Sequence, residues 1–113
     1  MKSYVQKGET LTLTAPYAVS SGGGALVGSI FGVAAADYAS GAEGEFEVKG
    51  VFDLTRETGA STAWSAGDLV YWDDTNKRTT KTATGNKLIG VAVRAAADGD
   101  ATGRVRLNGA FLS

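Results

Sequence analysis

The sequence contains no cysteine and no histidine. Without cysteine, disulfides, thiolate metal sites and cysteine nucleophiles are excluded, and without histidine the commonest metal ligand and proton shuttle is missing. These two absences remove much of the side-chain chemistry on which enzymes depend. The sequence therefore predicts a protein that is not an enzyme, with no catalytic residue, no metal site and no cofactor.

Net charge and long apolar runs are also lacking. Eleven basic residues face twelve acidic ones, so there is no basic surface of the kind that nucleic-acid binding normally requires. The most apolar run, residues 25–36, is interrupted by Gly28, Ser29 and Gly32. It is shorter than the roughly 20 residues that a membrane-spanning helix needs. We expect no nucleic-acid partner, no membrane partner and, from the polar N-terminus, synthesis in a cytoplasm.

Short segments of alternating polar and apolar residues make up much of the chain. They cover residues 10–14, 45–52 and 104–107, with a further apolar strand at 87–95. A period of two is typical of strands with one buried face. Within 45–52 we expect a register shift at Gly50, because glycine inside a strand often marks a bulge.

A hairpin at residues 64–82 is the expected anchor of the core. Residues 69–72 (LVYW) favour a strand, residues 73–76 (DDTN) favour a turn, and residues 78–82 can return as a second strand. Both tryptophans, Trp64 and Trp72, belong to this stretch, and large aromatics bury the most surface per residue.

Two further segments complete the predicted fold. Residues 25–33 are interpreted as one strand buried on both faces, with a short buried helix as the alternative, and residues 55–63 as a polar connection with room for one helical turn. The sequence predicts a single all-β domain over residues 1–113, a small Gly-rich barrel or sandwich with at most one or two short helical turns. A β-clip-like or β-tulip-like arrangement stays open, and residues 1–17 form either an extended N-terminal arm or the first strand.

Residues 23–30 contain the two glycines of a phosphate-binding P-loop at the correct separation. In that motif lysine and then serine or threonine follow the second glycine, to bind phosphate and magnesium. Here Ser29 and Ile30 occupy those positions. The residues that would carry the charge and the hydroxyl are absent, so a flexible loop leading into a strand is the better interpretation.

The remaining chemical groupings have ordinary structural explanations. Acidic residues at 43, 45 and 47 fit a solvated strand face, and the Asp-Gly-Asp of 98–100 fits a tight turn. The basic residues fit solubility and cross-strand pairing, and the aromatics fit the core or a subunit interface. These residues are Lys77, Arg78, Lys81, Arg104, Arg106, Trp64, Tyr71 and Trp72.

Several segments together resemble a family of small proteins from tailed phages and prophages. In chain order they are YVQKGETL (4–11), APY (15–17), GGGALVG (22–28), IFGVA (30–34), GVFDL (50–54), AGDLVYWD (66–73), LIGVA (88–92) and VRLNG (105–109). Members of that family are described as capsid cement or head decoration proteins, and some carry the label of RecA-like phage recombinase. The incomplete P-loop gives the recombinase label no support.

The resemblance implies a structural protein of the virion that binds the outside of the capsid lattice, with the major capsid protein as partner, assembled in the bacterial host cytoplasm. It also implies a homotrimer. We expect the capsid contact in the N-terminal segment, at Tyr4, Val5, Lys7, Leu11 and Leu13. We expect the oligomer interface in the apolar stretch, at Leu26, Val27, Ile30 and Phe31. Two alternatives stay open: a recombination accessory protein that binds nucleotide or DNA, and a carbohydrate-binding module of the virion surface that uses Trp64, Tyr71 or Trp72.

Overall fold

The computed structural model describes residues 8–110 and 112, and these residues form strands and turns but no helix. The all-β prediction is confirmed, and residues 55–63 form no helical turn. The strands are β1 (Thr10–Thr14), β2 (Gly24–Val27), β3 (Ile30–Ala34), β4 (Glu43–Glu47), β5 (Lys49–Thr55), β6 (Leu69–Asp73), β7 (Arg78–Thr80), β8 (Lys87–Ala92) and β9 (Thr102–Asn108).

The first sheet is antiparallel and has the strand order β1-β4-β3-β2. The interpretation of residues 25–33 as one strand is wrong, because they form a hairpin of β2 and β3 in which Val27 pairs with Ile30. Gly28 and Ser29 make the turn, and Gly28 has a φ of 60°, in the left-handed region that favours glycine. Burial on both faces is confirmed for β3, where residues 31–34 are all buried.

A sheet boundary lies at Val48, inside the segment predicted as one alternating strand. Glu47 pairs with Val33 in the first sheet, whereas Lys49 pairs with Asn108 in the second. The prediction of a continuous strand over 45–52 is therefore wrong. The Val48 side chain is buried at the boundary, so the inward-facing set continues across the break.

The second sheet has the order β5-β9-β8-β6-β7 and curls until its two edge strands meet. The hairpin of β6 and β7 confirms the predicted one. A parallel bridge joins Arg56, just after β5, to Thr79 of β7. The Thr79 hydroxyl donates to the Thr55 carbonyl at 3.0 Å, and the Glu57 amide donates to the Thr79 carbonyl at 2.9 Å. The second sheet is therefore a small barrel closed by a short seam.

Two apolar clusters hold the structure together. The larger cluster fills the barrel and receives Phe31 and Val33 from the first sheet. Trp64 and Trp72 are 4% and 2% exposed within it, which confirms the predicted anchoring role of residues 64–82. The smaller cluster lies on the opposite face of the first sheet, around the fully buried Phe46.

Candidate interaction surfaces

The P-loop-like residues have none of the geometry of a nucleotide site. They form β2 and the turn that leads into β3, so a strand rather than a helix follows the second glycine. The Gly24 backbone is packed against the Phe31 and Trp72 rings, which leaves no open phosphate cradle there. Within residues 8–110 and 112, no group of three or more acidic residues is arranged to hold a metal ion. The same residues include no helix of the length and apolarity needed to cross a membrane.

The tryptophans are not arranged as a platform for a sugar ring. The Trp64 indole donates from Nε1 to the Arg94 carbonyl at 3.0 Å, and the Trp72 indole donates to Asp74 Oδ1 at 3.0 Å. Both rings lie in the core, where a ligand cannot stack on them. Of the three aromatics proposed for carbohydrate binding, only the half-buried Tyr71 reaches the surface.

The free edge of β2 is covered by one side chain. Tyr17 Oη accepts a hydrogen bond from the Leu26 amide at 3.3 Å and lies 3.4 Å from the Gly24 carbonyl oxygen. It also donates to Asp74 Oδ1 at 3.0 Å. Burial raises the pKa of Tyr17 from 10.0 to about 12, and the hydrogen bond to Asp74 acts in the same direction. The hydroxyl thus contacts the two backbone groups of β2, the Gly24 carbonyl and the Leu26 amide, with which a neighbouring strand would otherwise pair.

The outer edge of β1, by contrast, is unpaired among residues 8–110 and 112. Thr12 lies opposite Glu45, whose amide donates to the Tyr38 hydroxyl at 2.9 Å and whose carbonyl accepts from the Ala35 amide at 3.0 Å. Both backbone groups of Glu45 therefore point away from β1. In an antiparallel pair this places the amide and carbonyl of Thr12 on the outer side of β1. In the described part of the chain, no strand pairs with that side.

The residues expected at the capsid contact are divided between this strand and its flank. Leu11 and Leu13 lie on β1, half-buried, and Leu13 packs against the smaller cluster. Tyr4, Val5 and Lys7 lie outside the described residues.

The residues expected at the oligomer interface lie on the β2–β3 hairpin. Leu26, Val27 and Ile30 are half-buried, and Leu26 packs against the larger cluster. Phe31 is only 5% exposed, with its ring centroid 4.9 Å from that of Trp72. The hairpin therefore leaves Val27 and Ile30 more exposed than Phe31.

One face of the first sheet is polar and acidic. Glu43, Glu45 and Glu47 alternate along β4, and Thr12 and Thr14 lie opposite on β1. We call these five residues the threonine–glutamate face. All five are exposed, as the sequence predicted for the glutamates, and the Thr12 hydroxyl donates to Glu45 Oε1 at 2.8 Å.

The outer face of the barrel has an apolar surface that the sequence analysis missed. Val51, Arg106, Val91 and Leu69 form one row across four paired strands, and Leu88 lies nearby on β8. We call these five residues the apolar strip. Val51, Leu69 and Leu88 are 54%, 53% and 43% exposed, unusually high for large apolar side chains. A groove of about 300 Å³ is lined by four residues of the strip (Leu69, Leu88, Val91 and Arg106), together with Ala110 and Leu112.

A buried arginine orders the loops at one end of the barrel. Arg56 is 3% exposed and donates from its guanidinium to the carbonyls of Thr62, Ala97 and Asp100. Its guanidinium carbon lies 5.0 Å from the centre of the Trp64 ring. No carboxylate pairs with it in the described structure. Its surroundings are those of a structural cation rather than of a catalytic one.

A family model described as phage cement protein matches residues 5–107. The chain belongs to the phage cement protein family. Membership of this family implies a structural, capsid-associated protein of a bacteriophage, as the sequence resemblance had indicated. No curated protein and no solved structure matches the chain.

Proposed function

We propose that this phage cement protein binds the outer surface of a tailed-phage capsid, contacts the major capsid protein and works as a homotrimer. The observation that carries the proposal is the family match across residues 5–107. A protein that binds the assembled lattice and not separated subunits stabilises the lattice by its binding free energy, repeated over many sites. Assembly in the host cytoplasm onto the virion belongs to the same proposal.

The open edge of β1 is the proposed contact with the coat. Proteins usually block exposed strand edges, because unpaired backbone groups attract other strands. Here the β2 edge is covered by Tyr17 and the barrel edges meet at the Arg56–Thr79 bridge, whereas no described strand pairs with the outer edge of β1. An extended coat segment can add to such an edge by β-augmentation. Tyr4, Val5, Lys7, Leu11 and Leu13 are the residues proposed to flank it.

Two measurements test the proposal. Quantitative mass spectrometry of purified virions is expected to find a copy number comparable to that of the coat protein. Absence from the particle, despite expression in infected cells, would contradict the capsid role. Heads that lack the protein should bind added protein and should then release their DNA at a higher temperature.

A proline at position 12 tests the β1 edge itself. Because the Thr12 amide faces outward, Thr12→Pro removes a donor from the open edge without breaking a β1–β4 hydrogen bond. Thr12→Ala is the matched control, since it removes the same hydroxyl and keeps the amide. We expect Thr12→Pro to lose binding to heads and Thr12→Ala to retain it. Tryptophan fluorescence should show that both variants are folded. Equal binding by the two variants would rule out this edge as the contact.

A further inference from the structure

Charge is segregated between the two sheets. Residues 8–48, which form the first sheet and its turns, contain five acidic residues and no lysine or arginine. Residues 49–112 contain nine basic and seven acidic residues. The near-zero net charge therefore hides a negative first sheet and a slightly positive barrel.

The threonine–glutamate face lies in the negative part, where residues 8–48 supply no lysine or arginine to balance it. The glutamates alternate on one strand and so project from the same side of the sheet. None of them forms an ion pair with a residue that the structure describes. The threonine methyl groups give the face some apolar surface.

The apolar strip lies in the positive part and has the complementary character. Arg106 occupies the row between Val51 and Val91, and it has neither an ion pair nor a side-chain hydrogen bond among the described residues. Its neighbour two residues earlier, Arg104, is paired with Asp53 at 3.0 Å. An unpaired arginine among exposed apolar side chains is the composition that protein interfaces favour.

We propose that copies of this chain associate head to tail, with the apolar strip and Arg106 of one copy packed on the threonine–glutamate face of the next. Pairing two strips would oppose two arginines, and pairing two acidic faces would oppose six glutamates, both of which are unfavourable. Only unlike faces bring opposite charges together. A heterologous contact of this kind closes into a ring when the rotation between copies permits. The number of copies in the ring, three, rests on the proposed function.

The first test is the association state of the full chain, measured by sedimentation velocity and native mass spectrometry in low and in high salt. We expect trimers in low salt and weaker association in high salt, because the contact pairs charges. Arg106→Glu should weaken association by about tenfold or more, since it places a carboxylate against the acidic face. A second reversal, Glu45→Arg in the same chain, should restore it. Arg94→Glu is the control, because Arg94 is also exposed on the barrel but lies outside the strip.

Several outcomes would overturn the inference. They are a monomeric wild-type protein, equal dissociation of the Arg106 and Arg94 variants, and no recovery in the double reversal. Head binding separates these failures from failure of the proposed function. A wild-type monomer that still binds heads would refute the head-to-tail contact and the homotrimer but would leave the capsid role standing, whereas an intact trimer that ignores heads would refute the capsid role alone.

Cysteine crosslinking gives an independent readout, since the natural chain contains no cysteine. A chain that carries both Val91→Cys and Glu45→Cys should form a ladder of crosslinked species under oxidation. Val91→Cys alone should remain uncrosslinked, because head-to-tail packing keeps the strips apart. Efficient crosslinking of that single variant would show strip-to-strip pairing and would overturn the inference.

Discussion

Tyr17 and Asp74, which are 57 residues apart in the chain, are joined by a hydrogen bond of 3.0 Å between Oη and Oδ1. The bond links the edge of the first sheet to the turn between β6 and β7 of the barrel. Asp74 Oδ1 also accepts from the Trp72 indole, and the Lys77 ammonium lies 4.0 Å from the centre of the Tyr17 ring. One carboxylate therefore connects the first sheet to the barrel core by hydrogen bonds, in addition to the packing of Phe31 and Val33.

Removal of the Tyr17 hydroxyl should weaken this link. Tyr17→Phe leaves the Leu26 amide without its acceptor and removes one of the donors to Asp74, and we expect the free energy of unfolding to fall by about 1–2 kcal/mol. Urea denaturation followed by tryptophan fluorescence measures the change. Tyr71→Phe is the control, because the Tyr71 hydroxyl has no hydrogen-bond partner among the described residues. A similar loss in both variants would show that the link contributes nothing specific.

Alkaline pH should weaken the same link through the ionisation of Tyr17. Burial and Asp74 raise the pKa of Tyr17 from 10.0 to about 12 in the folded protein, so folding favours the neutral phenol. This contribution to stability is fully present below pH 10 and is lost as the pH rises towards 12. The stability of the wild type should therefore fall more steeply over that interval than the stability of Tyr17→Phe. If the stabilities of the two proteins fell in parallel with pH, the loss would not come from the ionisation of Tyr17.

Gly103 should not tolerate a side chain. A Cβ added there would lie 2.1 Å from the Trp64 ring, which is buried and hydrogen-bonded to the Arg94 carbonyl. We expect Gly103→Ala to lower the free energy of unfolding by about 2 kcal/mol or more, because the ring cannot move without opening the core. Gly99→Ala is the matched control, since its Cβ meets nothing within 4 Å. Thermal unfolding of both variants measures the difference, and equal melting temperatures would refute the steric argument.

Replacing Arg56 should lower the free energy of unfolding more than replacing any other charged residue. Arg56→Met keeps the length of the side chain but leaves the carbonyls of Thr62, Ala97 and Asp100 without a donor. We expect a loss of about 3 kcal/mol, since unsatisfied buried polar groups each carry a penalty. Arg94→Met makes the same change at an exposed position and should have little effect. Denaturant titration compares the two, and a comparable effect at both sites would show that the Arg56 contacts are dispensable.

The elements that could be predicted from the sequence are those with a local signal. Residues 10–14 alternate strictly, and β1 occupies those positions. The sequence does carry a signal for the β2–β3 turn, since Gly28 and Ser29 suit a two-residue hairpin loop. The turn was missed because those two residues lie inside an apolar run. The sheet boundary at Val48 carries no such signal, since alternation continues through it and only the long-range partners change.

The surfaces were harder to predict than the strands. In residues 69–72 every side chain is apolar or aromatic, so alternation could not reveal that Leu69 faces outward while Val70 is fully buried. The cover that Tyr17 gives to the β2 edge depends on a contact with Leu26 that no sequence period encodes. The acidic face was visible in the sequence because Glu43, Glu45 and Glu47 alternate on one strand.

The position of β9 also has a consequence for how the chain acquires its structure during synthesis. The first sheet is complete once residues up to 47 have been made, so it can form early. The barrel cannot, because β9 lies between β5 and β8 and follows all the other described strands in the chain. The pairing of β5 with β9 joins residues far apart in the chain, and such pairings form slowly. A nascent chain therefore exposes β5 and β8 without their central partner, and unpaired strand edges of this kind are prone to aggregation.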